Sequence, residues 1–187
     1  MHNSSQFMAG PIALAVAVIL TIGISGGCTT ADPREAGPAQ AQERFWDALA
    51  MHCGQAFEGR VVEDSSPSPD FQGRMVMHVR ECGPDRILVP FHIDDNRSRT
   101  WVFTREADGL RLKHDHRHED GTEDDITQYG GDTLGPGTAT RQEFHADVYT
   151  AGLIPAAAAN VWTVEIVPGE SFAYALRREG TDRRFRV

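Results

Sequence analysis

The sequence predicts a mainly β fold: an antiparallel meander of about ten strands closing into a barrel, preceded by one short N-terminal helix. Three observations carry that expectation. From Gly54 onward apolar residues recur with a period of two, the spacing of one face of a strand. Turn-forming groups such as Cys82-Gly83-Pro84-Asp85, Ala107-Asp108-Gly109 and Pro168-Gly169 recur at roughly 10–15 residue intervals, short enough for hairpins. Ahead of the strands, QERFWDALAMHCG places Trp46, Leu49, Ala50 and Cys53 at i, i+3, i+4 and i+7. That stripe is the docking face of a helix, with Gly54 as its stop signal.

The strand-like segments in order are Phe57–Val62, Met75–Glu81, Ile87–Ile93, Arg99–Glu106 and Leu110–His118. Ile126–Gly131, Thr138–His145, Val161–Val167, Phe172–Arg177 and Arg184–Val187 continue the series. Thr150–Asn160 (TAGLIPAAAAN) interrupts it and reads as a short helix or a loop across an opening. Many short antiparallel strands must hide their edges, and closure into a barrel does so most completely. Trp162, Val164 and Ile166 share one face, as do Phe172, Tyr174 and Leu176, and Trp101 and Phe103. Opposite them stand Thr163 and Glu165, Ala173 and Ala175, and Thr100, Val102 and Thr104. The last set is less polar, so parts of the sheet are expected to be covered on both sides.

The chain has 187 residues, 40% of them hydrophobic, which is enough for one domain with a real core. Its net charge is −9, and residues 1–27 contain no Asp, Glu, Lys or Arg. The charge therefore sits on the remainder, and an acidic surface of this kind repels phosphate backbones. Nucleic acid is excluded as a partner. The apolar run Pro11–Gly23 is too short to cross about 30 Å of hydrocarbon comfortably, and it suits the apolar segment of a signal peptide.

Ser25, Gly26 and Gly27 directly before Cys28 resemble the lipobox of bacterial lipoproteins. The resemblance implies cleavage before Cys28 and diacylation of its sulfur. Residues 1–27 are then a signal peptide, 28–41 a lipidated flexible tether rich in Pro, Ala, Gly and Thr, and 42–187 a single barrel domain. Ser25 stands where the lipobox has Leu, and the first residues carry no Lys or Arg. An ordinary secretory signal and an uncleaved anchor therefore remain as alternatives. Cys53 and Cys82 are left as an even pair, expected to be bridged in an oxidising envelope, with two buried free thiols as the alternative.

Over about residues 45–187 the alternation resembles that of the calycins, the superfamily of lipocalins and fatty-acid-binding proteins. The Phe-Trp helix is similar to that of small bacterial envelope lipoproteins of unassigned role. The calycin resemblance implies a barrel around a small apolar ligand. It carries over no residue: the lipocalin Gly-x-Trp signature is absent from Phe57-Glu58-Gly59-Arg60-Val61.

The sharpest local feature is Leu110-Arg111-Leu112-Lys113-His114-Asp115-His116-Arg117-His118. On one strand the leucines set the phase, so His114, His116 and His118 point inward and the charged residues outward. Neutral imidazoles suit Zn²⁺ or Cu²⁺. Neighbouring histidines would be about 6.8 Å apart along the strand, whereas His114 and His118 would be about 13 Å apart, too far to share an ion. A metal site would thus need one pair, His114 and His116, with a ligand from elsewhere. The alternatives are an inner polar row hydrogen-bonded to barrel-lining groups, or a strand that frays before its end. Arg141, Glu143 and His145 alternate on one face as a cross-strand charge ladder does.

No nucleophile elbow, phosphate loop or Cys-x-x-Cys pair occurs in the chain. Two function classes follow. The first is a non-enzymatic envelope module, anchored by lipid and facing the periplasm or cell exterior. It would bind a small apolar or amphipathic ligand, or an envelope protein, with Trp101, His114, His116, His118, Trp162 and Tyr174 as the interior lining. The second is a metal-binding protein or metal-dependent enzyme built on the inward histidines.

Overall fold

The structure, a computed structural model, describes residues 38–187. The expected signal peptide, Cys28 and the tether up to residue 37 lie outside the described residues. Helix α1 (Pro38–Ala50) is followed by β1 (Ala56–Gly59), β2 (Glu63–Asp64), β3 (Met75–His78), β4 (Glu81–Cys82), β5 (Arg86–Ile93) and β6 (Asn96–Glu106). Then come β7 (Gly109–His116), β8 (Tyr129–Asp132), β9 (Arg141–Ala146), α2 (Val148–Leu153), β10 (Asn160–Val167), β11 (Ser171–Arg178) and β12 (Arg184–Arg186). All twelve strands belong to one antiparallel sheet in the order β1-β3-β5-β6-β7-β8-β9-β10-β11-β12-β2, with β4 paired to β5. The sheet curls into a half-barrel. Among the described residues no helix is long and apolar enough to cross a membrane.

The mainly β class, the meander and the single preceding helix are as the periodicity predicts. The two ends of the sheet are bridged by the chain itself. The expected strand Phe57–Val62 breaks after Gly59, leaves β3, and by Val62 has reached the opposite edge. There the Val62 and Ser65 amides donate to Arg186 O (2.8 Å) and Arg184 O (3.0 Å). Three residues, 60–62, thus span the seam between the two edges.

Helix α1 starts at Pro38 rather than Gln42, a first-turn position where the missing N–H costs nothing. It ends at Ala50, short of Cys53. The His52 and Cys53 amides bond back three residues, to Leu49 O and Ala50 O, so the path tightens and leaves the helix. Phe45, Trp46 and Leu49 are buried, and the helix packs on β7, β9 and β10. Cys53, in the turn beyond, is disulfide-bonded to Cys82. The bridge ties that turn to the β4–β5 hairpin.

Inside the curl lie Ile87, Val89, Phe91 and Ile93 of β5, Trp101 and Phe103 of β6, and Leu110, Leu112 and His114 of β7, all buried. Trp162, Val164 and Ile166 complete this face from β10. Thr163, Val102 and Ala173 on the other face are buried too, so the sheet is covered locally on both sides. Around Thr163 runs a ladder in which Arg141 pairs with Glu143 and Glu165, Arg177 with Glu143, and Arg186 with Glu165.

Strand β8 is squeezed between β7 and β9. A β-carbon at Gly130 would lie 2.0 Å from Leu112 O, and one at Gly131 1.6 Å from His145 O. Only glycine permits that approach. The interruption after β9 resolves into α2, capped by Asp147, which accepts from the Thr150 amide at 2.8 Å. A 3₁₀ turn over Pro155–Ala157 follows.

Candidate ligand cavity

Toward the ends of β6 and β7 remote from the Ala107-Asp108 turn, the inner face encloses a cavity of about 300 Å³. Ring side chains dominate its walls. Cross-strand register explains why they meet: Val89, Trp101, His114 and Tyr129 form one row across β5, β6, β7 and β8. Directly opposed residues share a face with β-carbons about 5 Å apart.

In that row His114 stacks on Tyr129 with ring centroids 4.6 Å apart, and Trp101 stacks between Phe91 (4.9 Å) and Tyr174 of β11 (4.5 Å). Trp162 meets His114 at 5.2 Å in a tilted pair. Ile154 and Ala157, from the α2–3₁₀ segment, close one side. The interruption, a short helix and a 3₁₀ turn, therefore forms part of the cavity wall.

The polar atoms inside are matched to one another. His114 Nδ1 lies 3.0 Å from Tyr129 O, and its Nε2 lies 2.7 Å from the Tyr174 hydroxyl. A carbonyl can only accept, so Nδ1 carries the proton and Nε2 accepts from Tyr174. Burial pushes the His114 pKa down to about 3, pushes Tyr129 up to about 12 and raises Tyr174 well above its ordinary value. The Tyr129 hydroxyl is hydrogen-bonded to His116 Nε2 at 3.1 Å. Burial, then the Arg99 charge, hold His116 below the ordinary histidine range. The His114–Tyr174 and Tyr129–His116 pairs are thus neutral around pH 7 and hydrogen-bonded to one another's side chains.

Of the residues expected to line an interior, Trp101, His114, His116, Trp162 and Tyr174 all border this cavity. His118 does not. β7 ends at His116, and the Gly121 amide turns back onto His118 O at 3.0 Å. That tight turn carries His118 out to solvent, where it is exposed. The metal reading loses its geometry for a related reason. Both nitrogens of His114 are engaged, and among the described residues no group of three His, Cys, Asp or Glu side chains converges.

Sequence reasoning did not single out Tyr129 or Arg99, and it reads the basic clusters Arg177-Arg178 and Arg183-Arg184 as a solvated strand face, yet Tyr129, Arg99, Arg178 and Arg183 all border the cavity. Arg99 has the same strand parity as Trp101 and Phe103, and that signal marks it as inward. Tyr129 offers none, because β8 reads Tyr-Gly-Gly-Asp without alternation.

A second, larger cavity of about 790 Å³ lies beside the first, walled by Phe57, Met75, Met77 and Phe172. Phe91, Trp101 and Tyr174 border both. The three-ring stack is thus a partition with a cavity on each side. Compared with protein-family models, curated proteins and solved structures, the chain shows no match.

Proposed function

We propose that the chain is a lipid-anchored envelope protein whose half-barrel binds a small apolar or amphipathic molecule without transforming it. The observation that carries this reading is the aromatic cavity, in which the His114, Tyr129 and Tyr174 side chains are neutral and hydrogen-bonded within the wall. Such a lining offers stacking surface and dispersion contacts and no free acid, base or nucleophile. Tyr174 holds its proton far above neutrality, and the acceptor lone pair of His114 is occupied by that same hydroxyl. The pair therefore orients rings instead of moving protons.

Titration with N-phenyl-1-naphthylamine, a neutral two-ring fluorophore, tests the binding reading. Its emission should rise and saturate at one equivalent, and Ala157→Trp, which fills the cavity, should abolish the response. No saturable binding, or equal binding by the filled variant, would overturn it. Anchoring is tested separately. Cys28→Ser should release the protein from the membrane fraction, and retention after a carbonate wash would refute lipidation.

A further inference from the structure

We propose that the cavity selects an organic anion: a flat apolar body among the rings, with a single oxyanion head, carboxylate or sulfonate, held by Arg99. This rests on the binding reading above and specifies its ligand class.

Arg99 lies on β6 and reaches the cavity wall, its guanidinium 5.5 Å from the centre of the Phe71 ring. Its Nη1 is buried and has no hydrogen-bond partner. Among the described residues no carboxylate lies within ion-pairing range of Arg99. Arg86, Arg97, Arg178 and Arg184 of the sheet also lack such a partner, but among the described residues Arg99 is the one of these five that buries a side-chain nitrogen without a hydrogen bond, while other strand arginines are paired. Arg111 meets Asp132, Arg141 meets Glu143 and Glu165, and Arg177 meets Glu143.

A buried guanidinium N–H left unpaired is costly, and folding would be served better by an apolar residue there. Two more arginines border the same cavity. Arg178 donates to Asn160 Oδ1 at 2.9 Å and has no carboxylate partner among the described residues, while Arg183 is held by Asp64. The Arg99 charge reaches the interior: it is the largest single charge acting on His116, ahead of Asp124 and Asp115, and on Tyr129, ahead of Asp124.

The division of labour follows. A planar guanidinium presents parallel N–H groups that match the two oxygens of a carboxylate or sulfonate. The neutral His114–Tyr174–Tyr129 group supplies no counter-charge deeper in, so a second charge on the ligand would be left unpaired. The ring walls favour a flat body.

Two probes with one ring system separate the terms. 1-Anilinonaphthalene-8-sulfonate differs from N-phenyl-1-naphthylamine by the sulfonate alone. On the wild-type protein the sulfonate should displace the neutral probe one for one and bind at least tenfold more tightly. That advantage should shrink at high salt. Arg99→Met should remove it, bringing the affinities of the two probes together.

Equal affinities of the two probes for the wild type, or an undiminished sulfonate advantage in Arg99→Met, would overturn the anion inference and leave the binding reading standing. Failure of both probes to bind would overturn both. Should Arg99→Met not fold, the wild-type comparison and its salt dependence decide the matter alone.

Discussion

Replacing Tyr174 with Phe removes one oxygen from a buried ring, and the structure fixes what that should cost. The hydroxyl donates at 2.7 Å to His114 Nε2, on a residue that is only 4% exposed. Without it the imidazole keeps a desolvated lone pair, a penalty of about 1–3 kcal/mol. His114→Leu should cost more, because it strands two groups, the Tyr174 hydroxyl and the Tyr129 carbonyl.

The double variant strands only the carbonyl. Its loss should therefore fall short of the sum of the singles by about 2–3 kcal/mol, two stranded groups' worth and within the coupling expected of partners in one network. Urea unfolding of the four proteins, followed by circular dichroism, gives the cycle, and each kcal/mol should appear as about 2–4 °C in Tm for a domain of this size. A Tyr174→Phe variant within about 0.5 kcal/mol of wild type would place the pair in solvent-like surroundings. Strict additivity would deny that the two side chains touch. Either result refutes the arrangement from which the neutral cavity is argued.

Acid should weaken the fold through the same histidine. Its folded pKa of about 3 lies below the unfolded value, so between about pH 6.5 and 3 the unfolded chain binds a proton that the native state refuses. Stability then falls by up to about 1.4 kcal/mol per pH unit from this group. His114→Leu should show a shallower loss in urea titrations across that range, and an unchanged slope would contradict the assignment. Removing the Cys53–Cys82 bridge, which spans a sequence separation of 29, should cost about 3–4 kcal/mol. Reductant should lower the wild-type Tm but not that of a Cys53→Ala/Cys82→Ala variant. Gly131→Ala should prevent folding or cost several kcal/mol, because its β-carbon would meet His145 O at 1.6 Å. Gly135→Ala, with nothing within 4 Å, should melt close to wild type, and equal melting of both would refute the tight β8 packing.

Strand parity made the inner face legible. The spacing of Trp162, Val164 and Ile166, and of Leu110, Leu112 and His114, assigns each to the interior, where all six are buried. Parity says nothing of where a strand stops. His118 continues the pattern of His114 and His116, yet a turn bonded through Gly121 removes it from the sheet. Closure is equally invisible to local pattern. His114 and Tyr174 are 60 residues apart and touch because the sheet curls. β8 escapes any alternation rule, since its two glycines answer to the backbones beside them instead of to a core face. Arg99 was readable as inward, but its want of a partner emerges only when every neighbouring strand is in place.

The ring stack of Phe91, Trp101 and Tyr174 bears on how the two cavities communicate. All three residues line both cavities, so a displacement of the stack would alter the shape of both. Any coupling between guests in the two cavities would have to be mutual: whatever factor a guest on one side imposed on the far side, the far guest would return. Trp101, at the centre of the stack, would register either guest, so its intrinsic emission can follow both equilibria without an added label.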